Sequence, residues 1–266
     1  MSKWIIQKKF DRELKLNKST LLAGLPGIGS VGKIAIDFII DELKPKLLYK
    51  IYSHNFPHSV IISDDNLVDL PCVRIHHLKV NSQDLLLLSG DAQPTEERAS
   101  YEFAEKILDI VGSFGCREVL TLGGIGLSGE PQKSKVFGTA TDSDTLKKYK
   151  GLTRGVNFQI DGKVGTIVGA AGLLIGLAPL RGGHGASLLV ETFCHPYHVG
   201  MREAKTLLAV IDKMFGLGLD LDKLDREIEE SEKGLLKAKR RRETKSQTLL
   251  RKLKSQLKEK DISYIG

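Results

Sequence analysis

The amino-acid sequence predicts an α/β protein in which a mostly parallel β-sheet is covered by helices on both faces and followed by a C-terminal helical extension. Three observations predict it. Short apolar runs alternate with amphipathic segments, glycine-rich turns separate them, and aromatic residues make up only 6% of the chain while glycine occurs 27 times. One main α/β domain is ordinary for a chain of 266 residues.

The first βα unit lies near the N-terminus. STLLAG, residues 19–24, is an apolar run closed by glycine and proline, and residues 30–43 place apolar side chains at helical spacing. Lys44 and Pro45 end this helix, and KLLYKIYS, residues 46–53, predicts the next strand.

A hairpin and a central strand follow. SVIISDDNLVDLP, residues 59–71, predicts a hairpin around Asp64–Asn66, and VRIHHL, residues 73–78, predicts a strand. Four consecutive leucines in residues 84–91 predict a central parallel strand that is buried on both faces.

The alternation continues to residue 216. Residues 94–97 open a long helix that reaches Phe114, with acidic residues in its first turn. The remaining predicted elements are strands at 118–124, 135–141, 166–169 and 186–192, an Ala/Leu/Gly helix after residue 169, and a helix at 200–216.

Two domains are predicted: an α/β body, 1–216, and a basic helical extension, 217–266. Twelve Lys/Arg against two Glu between residues 233 and 260 give that segment +10, which leaves −3 for the rest of a chain whose formal charge is +7. Leucines recur at heptad-like spacing, but Arg242 and Lys245 interrupt the stripe. Two interpretations of the extension stay open: two helical pieces that pack on another subunit or on each other, or a single solvated helix. Nucleic acid is not an expected partner, because no aromatic residues lie between the basic ones.

Compartment and metal content follow from the cysteines and the apolar segments. Cys72, Cys116 and Cys194 are widely spaced and form no C-x-x-C pattern, so neither disulfides nor zinc are expected, and a cytoplasmic location fits. The N-terminus lacks the apolar run of a signal peptide. Residues 166–180 are the most apolar segment but fall short of the roughly 18 residues that a membrane span needs.

LPGIGSVGK, residues 25–33, is the first candidate site. Gly27, Gly29 and Gly32 spell G-x-G-x-x-G, and Gly27 to Lys33 spells most of a P-loop. The dinucleotide interpretation lacks an acidic residue at the tip of the second strand, and the P-loop interpretation has Ile34 where Ser or Thr should hold magnesium. Two explanations stay open: the helix N-terminus binds an anion, as in a phosphate- or nucleotide-binding enzyme, or the glycines allow close helix–strand packing.

Other candidates lie at the same predicted edge of the sheet. Asp91 and Gln93 follow a central strand, although Asp91 is also suited to cap the next helix. LGGIGLSGE, residues 122–130, is a second glycine-rich loop that faces the first across a possible crevice. Ser128 does not complete a G-x-S-x-G nucleophile elbow. We therefore expect no catalytic residues.

A metal site is not expected either. CHPYH, residues 194–198, brings Cys194, His195 and His198 together, but no second cluster completes a tetrahedron of ligands. No cofactor is expected.

Several motifs together resemble the archaeal branch of the proteasome assembly chaperone 2 family over residues 15–228. They are GLPGIGSVGKIAIDFIIDEL, LLLLSGDAQP, YEFAEKILDI, TLGGIG, GAAGLLIGLAPLRG and VETF followed by REAKTLLAVIDKMFGLGLDLDKL. The resemblance implies a three-layer α/β/α fold of nucleoside-phosphorylase type and a non-enzymatic chaperone or scaffold. It also implies a homo-oligomer, a tetramer or pentamer, with proteasome α-subunits or another protein as partner.

The resemblance further implies a partner-binding tail. Archaeal relatives use a C-terminal hydrophobic–Tyr–any motif, in which the terminal carboxylate and the tyrosine enter a pocket between α-subunits. This chain ends DISYIG, so Tyr264 is third from the end and follows Ser263. That shift displaces the ring or the carboxylate by about 3.3 Å in an extended tail. Such a displacement spoils simultaneous contacts of the ring and the carboxylate, so the motif alone does not secure docking. Two alternatives stay open for the candidate residues Ile262, Tyr264, Ile265 and Gly266: they dock on the proteasome, or they pack on a neighbouring subunit.

Overall fold

The computed structural model describes residues 3–10, 14, 16, 18–63, 65–159 and 165–230. Eight of its strands form one sheet: β1 (Trp4–Lys8), β2 (Thr20–Ala23), β3 (Lys46–Ser53), β6 (Val73–Val80), β7 (Gln83–Gly90), β8 (Glu118–Leu127), β9 (Val136–Ala140) and β10 (His184–Phe193). A separate pair consists of β4 (Ile61–Ile62) and β5 (Val68–Asp69). The helices are α1 (Val31–Leu43), α2 (Glu97–Gly112), α3 (Ser143–Leu152), α4 (Ala170–Leu177) and α5 (Met201–Phe215).

The large sheet has the strand order β1-β3-β6-β7-β2-β8-β10-β9. Its four central strands, β7, β2, β8 and β10, are parallel to one another, and the strands on either side pair antiparallel. β3 also points in the direction of the central four, so most of the strands share one direction. The predicted α/β class with a mostly parallel sheet is confirmed.

Both faces of the sheet are covered by helices at its centre. Leu85 to Leu88 on β7 are all completely buried. Leu86 and Leu88 belong to one core with side chains of α2 and α4, while the alternating leucines point to the other face, where α1 packs on β7 and against α5. The continuous apolar run therefore marks a central strand between two helical layers.

Three elements differ from the sequence prediction. Residues 166–169 form no strand; they lead through Gly169, with φ of 81°, directly into α4. Strand β1 and helix α3 were not predicted. β1 is an edge strand that pairs antiparallel with β3, and Asp142 caps α3 by accepting the backbone N–H groups of Asp144 and Thr145.

The predicted hairpin around residues 64–66 is confirmed. Ile61 pairs with Asp69 and Ile62 with Val68, and the Ser63 N–H donates to the Leu67 carbonyl at 2.9 Å. Every described residue from 57 to 70 is exposed. We call residues 57–70 the arm; it connects β3 to β6.

The contacts along the chain divide it into two units after Leu219. Of the second unit, residues 221–230 are helical, and residues 231–266 lie outside the described part. The predicted boundary at 216/217 stays a prediction. Among the described residues there is no helix with the length and hydrophobicity of a membrane span.

Candidate functional site

The carboxyl ends of the four parallel strands meet at one edge of the sheet, as the sequence indicated. A turn that includes a short 3₁₀ segment, Ile28–Ser30, follows β2, and residues 91–96 follow β7. The glycine-rich end of β8 and the loop after β10 lie at the same edge. Ligands of parallel α/β proteins usually bind at this edge.

The glycines of the first turn bring helix α1 into backbone contact with the sheet. A Cβ atom placed on Gly32 would lie 2.2 Å from the carbonyl oxygen of Leu122 on β8. One placed on Gly24 would lie 2.0 Å from the carbonyl oxygen of Gly32. Gly29 has a φ of 61°, which favours glycine. These contacts favour the packing explanation for Gly32 and a conformational one for Gly29.

The two glycine-rich loops are in contact through Ile28. A Cβ atom on Gly124 would lie 2.7 Å from the carbonyl oxygen of Ile28, and one on Gly126 would lie 3.2 Å from the Ile28 Cδ1 atom. Ile28, which is 42% exposed, therefore lies directly against the glycines of the second loop. Because Gly124 and Gly126 have no side chains, the second loop leaves room for the first loop.

Lys33 is paired within its own helix. Its ammonium contacts the Asp37 carboxylate one turn later, and the other oxygen of that carboxylate accepts a hydrogen bond from Ser89 Oγ. A local carboxylate thus compensates the charge that a P-loop lysine would offer to phosphate. Anion binding at Gly27, Gly29, Gly32 and Lys33 stays a prediction.

Asp91 forms an ion pair and does not cap a helix. Its carboxylate accepts hydrogen bonds from Arg74 Nη1 at 3.0 Å and from the Cys72 backbone N–H at 3.1 Å. Burial opposes ionisation of Asp91, but these hydrogen bonds outweigh it, so the pKa of Asp91 lies below its ordinary value. Helix α2 begins instead after Glu96, whose side chain makes no capping bond. The cap interpretation was wrong because Arg74, from the neighbouring strand β6, supplies a counter-charge.

Gln93 ties two segments of the edge together. Its amide nitrogen donates to the Pro26 carbonyl, and its amide oxygen accepts the N–H of Ala170, the first residue of α4, at 3.1 Å. Both ends of the side chain are therefore used by the protein. The sequence placed Gln93 at the correct edge, and in the structure its side chain links the glycine turn to the start of α4 by two hydrogen bonds.

The CHPYH segment is held by a buried carboxylate. Glu203, in the first turn of α5 and only 4% exposed, accepts a hydrogen bond from Thr192 Oγ1 at 3.1 Å and lies 3.0 Å from His198 Nε2. The ring of His195 stacks on Phe193. Across the described ranges, no group of three or more His, Cys, Asp or Glu could hold a metal ion. These contacts fix the loop after β10 to the start of α5.

Sequence reasoning did not predict a polar cavity between the amino end of α2 and the residues around β1 and β3. Its volume is about 330 Å³, and it is lined by Lys3, His54, Asn55, Glu96, Arg98, Ala99 and Glu102. The Asn55 Nδ2 atom is buried and has no hydrogen-bond partner among the described residues. No motif marks this cavity, because its lining comes from three separate parts of the sequence.

The arm is the second feature that sequence reasoning did not identify as a site. Its apolar side chains are 40–68% exposed, although Val, Ile and Leu of the central strands are mostly buried. The hairpin pattern predicted the turn but gave no sign that both faces of the hairpin would lie in solvent. Contiguous exposed apolar surface of this kind marks interaction sites.

The predicted partner-binding residues Ile262, Tyr264, Ile265 and Gly266 lie outside the described residues. Their role stays a prediction.

Comparisons with known proteins find one family model and several similar proteins. The model of the PAC2 family matches residues 21–239. PbaB of Pyrococcus furiosus, an archaeal proteasome activator, is 35% identical, with a TM-score of 0.81 over 90% of this chain and 100% of PbaB. Protein MJ1210 of Methanocaldococcus jannaschii is 30% identical over 100% of this chain and 99% of its own length. PbaA of Pyrococcus furiosus, an archaeal homologue of proteasome-assembly chaperone, is 22% identical with a TM-score of 0.73 over 94% of this chain and 98% of PbaA, which supports the fold.

Proposed function

This chain belongs to the PAC2 family, and we propose that it is a non-enzymatic, homo-oligomeric chaperone or scaffold of the cytoplasm that binds the α-ring of the proteasome core particle. The observation that carries the proposal is the 35% identity to the archaeal proteasome activator PbaB, which extends over 100% of that chain. The extension 217–266 is the segment that we assign to partner binding, and the body 1–216 supplies the contacts between subunits.

The contacts at the sheet edge support a structural role for the residues that an enzyme would use. Lys33 is engaged by Asp37, Asp91 by Arg74, and both ends of Gln93 by backbone groups. Asp91 and Gln93 each join two segments of the fold, and the charge of Lys33 is compensated within its own helix. Among the described residues, no specific contact favours the alternative of a phosphate- or nucleotide-binding enzyme.

The tail supplies the proposed docking contact. In this mode of docking, a C-terminal segment that contains a tyrosine enters a pocket on the partner. The terminal carboxylate pairs with a cation there, and the tyrosine ring packs against apolar walls. Ile262, Tyr264, Ile265 and Gly266 are the residues that we assign to this contact. The position of Tyr264, third from the end, requires a pocket that accepts one further residue beyond the ring.

A pull-down with the cognate proteasome core particle tests the docking contact. We expect the full chain to capture the core particle and the chain without residues 261–266 to lose it. Tyr264→Ala should weaken capture at least tenfold, whereas the matched control Ser263→Ala should not change it. Capture that survives removal of residues 261–266 would refute the tail model.

Two further measurements test the rest of the proposal. Native mass spectrometry should give a homo-oligomer at micromolar concentration, and a monomer would contradict self-association. Calorimetry with ATP, NAD and a nucleoside should give no heat of binding. Tight, magnesium-sensitive binding of any of them would favour the enzyme alternative and a site at Gly27 to Lys33.

A further inference from the structure

The arm carries an unusual amount of exposed apolar surface for its size. Its strands are two residues long, and isolated two-stranded hairpins are at best marginally stable in water. Six large apolar side chains are exposed along it: Val60 (53%), Ile61 (40%), Ile62 (68%), Leu67 (67%), Val68 (64%) and Leu70 (59%). Such a hairpin is suited to insertion into another surface.

A second surface with partly exposed side chains lies beside the arm in the same chain. On β3 and β6, Ile51 and Val73 face the core that includes α2 and are completely buried, whereas Lys50, Tyr52 and Arg74 on the opposite face are partly exposed. Register pairs Ile5 with Tyr52, Gln7 with Lys50, and Lys50 with Arg74, so that these side chains share one face. We call it the open face; its residues are Ile5, Gln7, Lys50, Tyr52 and Arg74.

The two surfaces are complementary in charge. The arm contains three aspartates, Asp64, Asp65 and Asp69, and no lysine or arginine. On the open face, Lys50 stands directly opposite Arg74, and Asp91 already compensates the charge of Arg74. An acidic neighbour on this face would therefore pair with Lys50. Both surfaces also combine their charges with apolar side chains, Ile5 and Tyr52 on the open face and the six residues of the arm.

We propose that the arm of one copy docks on the open face of a second copy of this chain. The inference rests on the self-association part of the proposed function and assigns it a surface. The arm connects β3 to β6, two of the strands that carry the open face. In a two-fold arrangement, each arm therefore meets the partner's open face, and the contact is made twice.

Photo-crosslinking from the arm identifies its occupant directly. A photoreactive phenylalanine analogue replaces Leu67, which is 67% exposed, in the full-length chain, and light and heavy isotope-labelled copies are mixed before irradiation. We expect mixed-isotope crosslinks to peptides of β1, β3 or β6. Crosslinks to another region, crosslinks within one copy only, or none at all would overturn the proposal.

Matched variants measure the contribution of the arm to assembly. Ile62→Ser with Leu67→Ser removes two large side chains from the contact and should raise the dissociation constant by about 10- to 100-fold. Leu180→Ser, at an 80% exposed site away from the arm, should leave it unchanged. Circular dichroism establishes that each variant is folded. If the double variant does not fold, Asp65→Lys, which should weaken association by reversing one charge of the arm, replaces it.

The outcomes separate the two proposals. A wild-type chain that is monomeric at micromolar concentration contradicts both this inference and the self-association part of the proposed function. A wild-type oligomer whose dissociation constant is the same in the arm variants contradicts this inference alone.

Discussion

The substitution Gly32→Ala tests whether the glycine turn exists to seat a helix on the sheet. The new Cβ atom would lie 2.2 Å from the Leu122 carbonyl oxygen, 2.9 Å from its carbon and 3.3 Å from the Gly24 Cα atom. Ordinary van der Waals contact begins near 3.4 Å. Because all three obstructing atoms belong to the backbone, no rotamer change relieves the clash. Helix α1 must move away from β8 by about 1 Å to restore ordinary contact.

Two opposing effects set the size of the change. Alanine is favoured over glycine in a helix by up to about 1 kcal/mol. Overpacking a tight contact costs about 1–3 kcal/mol and sometimes more, and a rigid backbone obstacle places this site at the upper end. Moving α1 also loosens the packing of Ala35, Ile36 and Ile39, which are completely buried. The net loss in the free energy of unfolding should therefore be about 2 kcal/mol or more.

Urea unfolding at fixed protein concentration measures this loss, and the melting temperature should fall by about 4–8 °C. Two control variants accompany it. Gly27→Ala, whose Cβ would meet nothing closer than 3.9 Å, should leave stability unchanged. Gly176→Ala, in α4 with open space around its Cβ, should stabilise the protein by up to about 1 kcal/mol. A Gly32→Ala protein as stable as the wild type would refute the packing explanation.

Two further predictions concern charged groups on the β6–β7 side of the sheet. Burial lowers the pKa of His76 below its ordinary value of 6.5, so the unfolded chain binds more protons than the folded one and stability should fall as the pH drops below 6.5. Urea unfolding at pH 7 and pH 5 should show a smaller loss of stability in His76→Phe than in the wild type. An equal loss in both proteins would contradict this role of His76. For the ion pair of Arg74 and Asp91, Asp91→Asn should cost about 1–2 kcal/mol at pH 7, and a double-mutant cycle with Arg74→Met should give a coupling of similar size. Because the pKa of Asp91 is lowered, the stability that it contributes is present above pH 3.8 and is lost as the pH falls further, so coupling that persists in strong acid would contradict this origin.

Elements with a strong local signal could be predicted from the sequence. The leucine run of β7 indicates a strand that is buried on both faces, and the apolar residues that recur at helical spacing in α5 are the ones that lie in the core. The fold class followed from their order. The elements that were missed or wrong depend on contacts that are distant in sequence.

Residues 166–169 and β1 illustrate that dependence. TIVG is rich in β-branched residues, as strands are, but α4 packs back onto it so closely that a Cβ on Gly172 would lie 2.0 Å from the Ile167 carbonyl oxygen. β1, with the sequence WIIQK, is mostly exposed and is a strand because β3 offers it hydrogen bonds. In both cases tertiary contacts override the local preference.

The ion pair of Asp91 shows why the candidate site could be located but not interpreted. The sequence placed Asp91 at the carboxyl edge because it follows a central strand. Its partner, Arg74, comes from the preceding strand, and only the register of β6 and β7 brings the two together. A partly buried carboxylate gains more from such a counter-charge than from a helix end, so the distant partner prevails over the local cap.

A glycine fingerprint reports only that a backbone needs room, and that requirement has two sources. A bound phosphate needs glycine because its oxygens approach peptide N–H groups, and a neighbouring strand needs glycine because its carbonyl groups approach the helix. Both sources place glycine at the start of the helix with similar spacing. Here the atom next to Gly32 is the Leu122 carbonyl oxygen, and a carbonyl already at that position leaves no space for an anion on that side of the helix. The spacing of the glycines therefore carries no functional information until the neighbouring atoms are known.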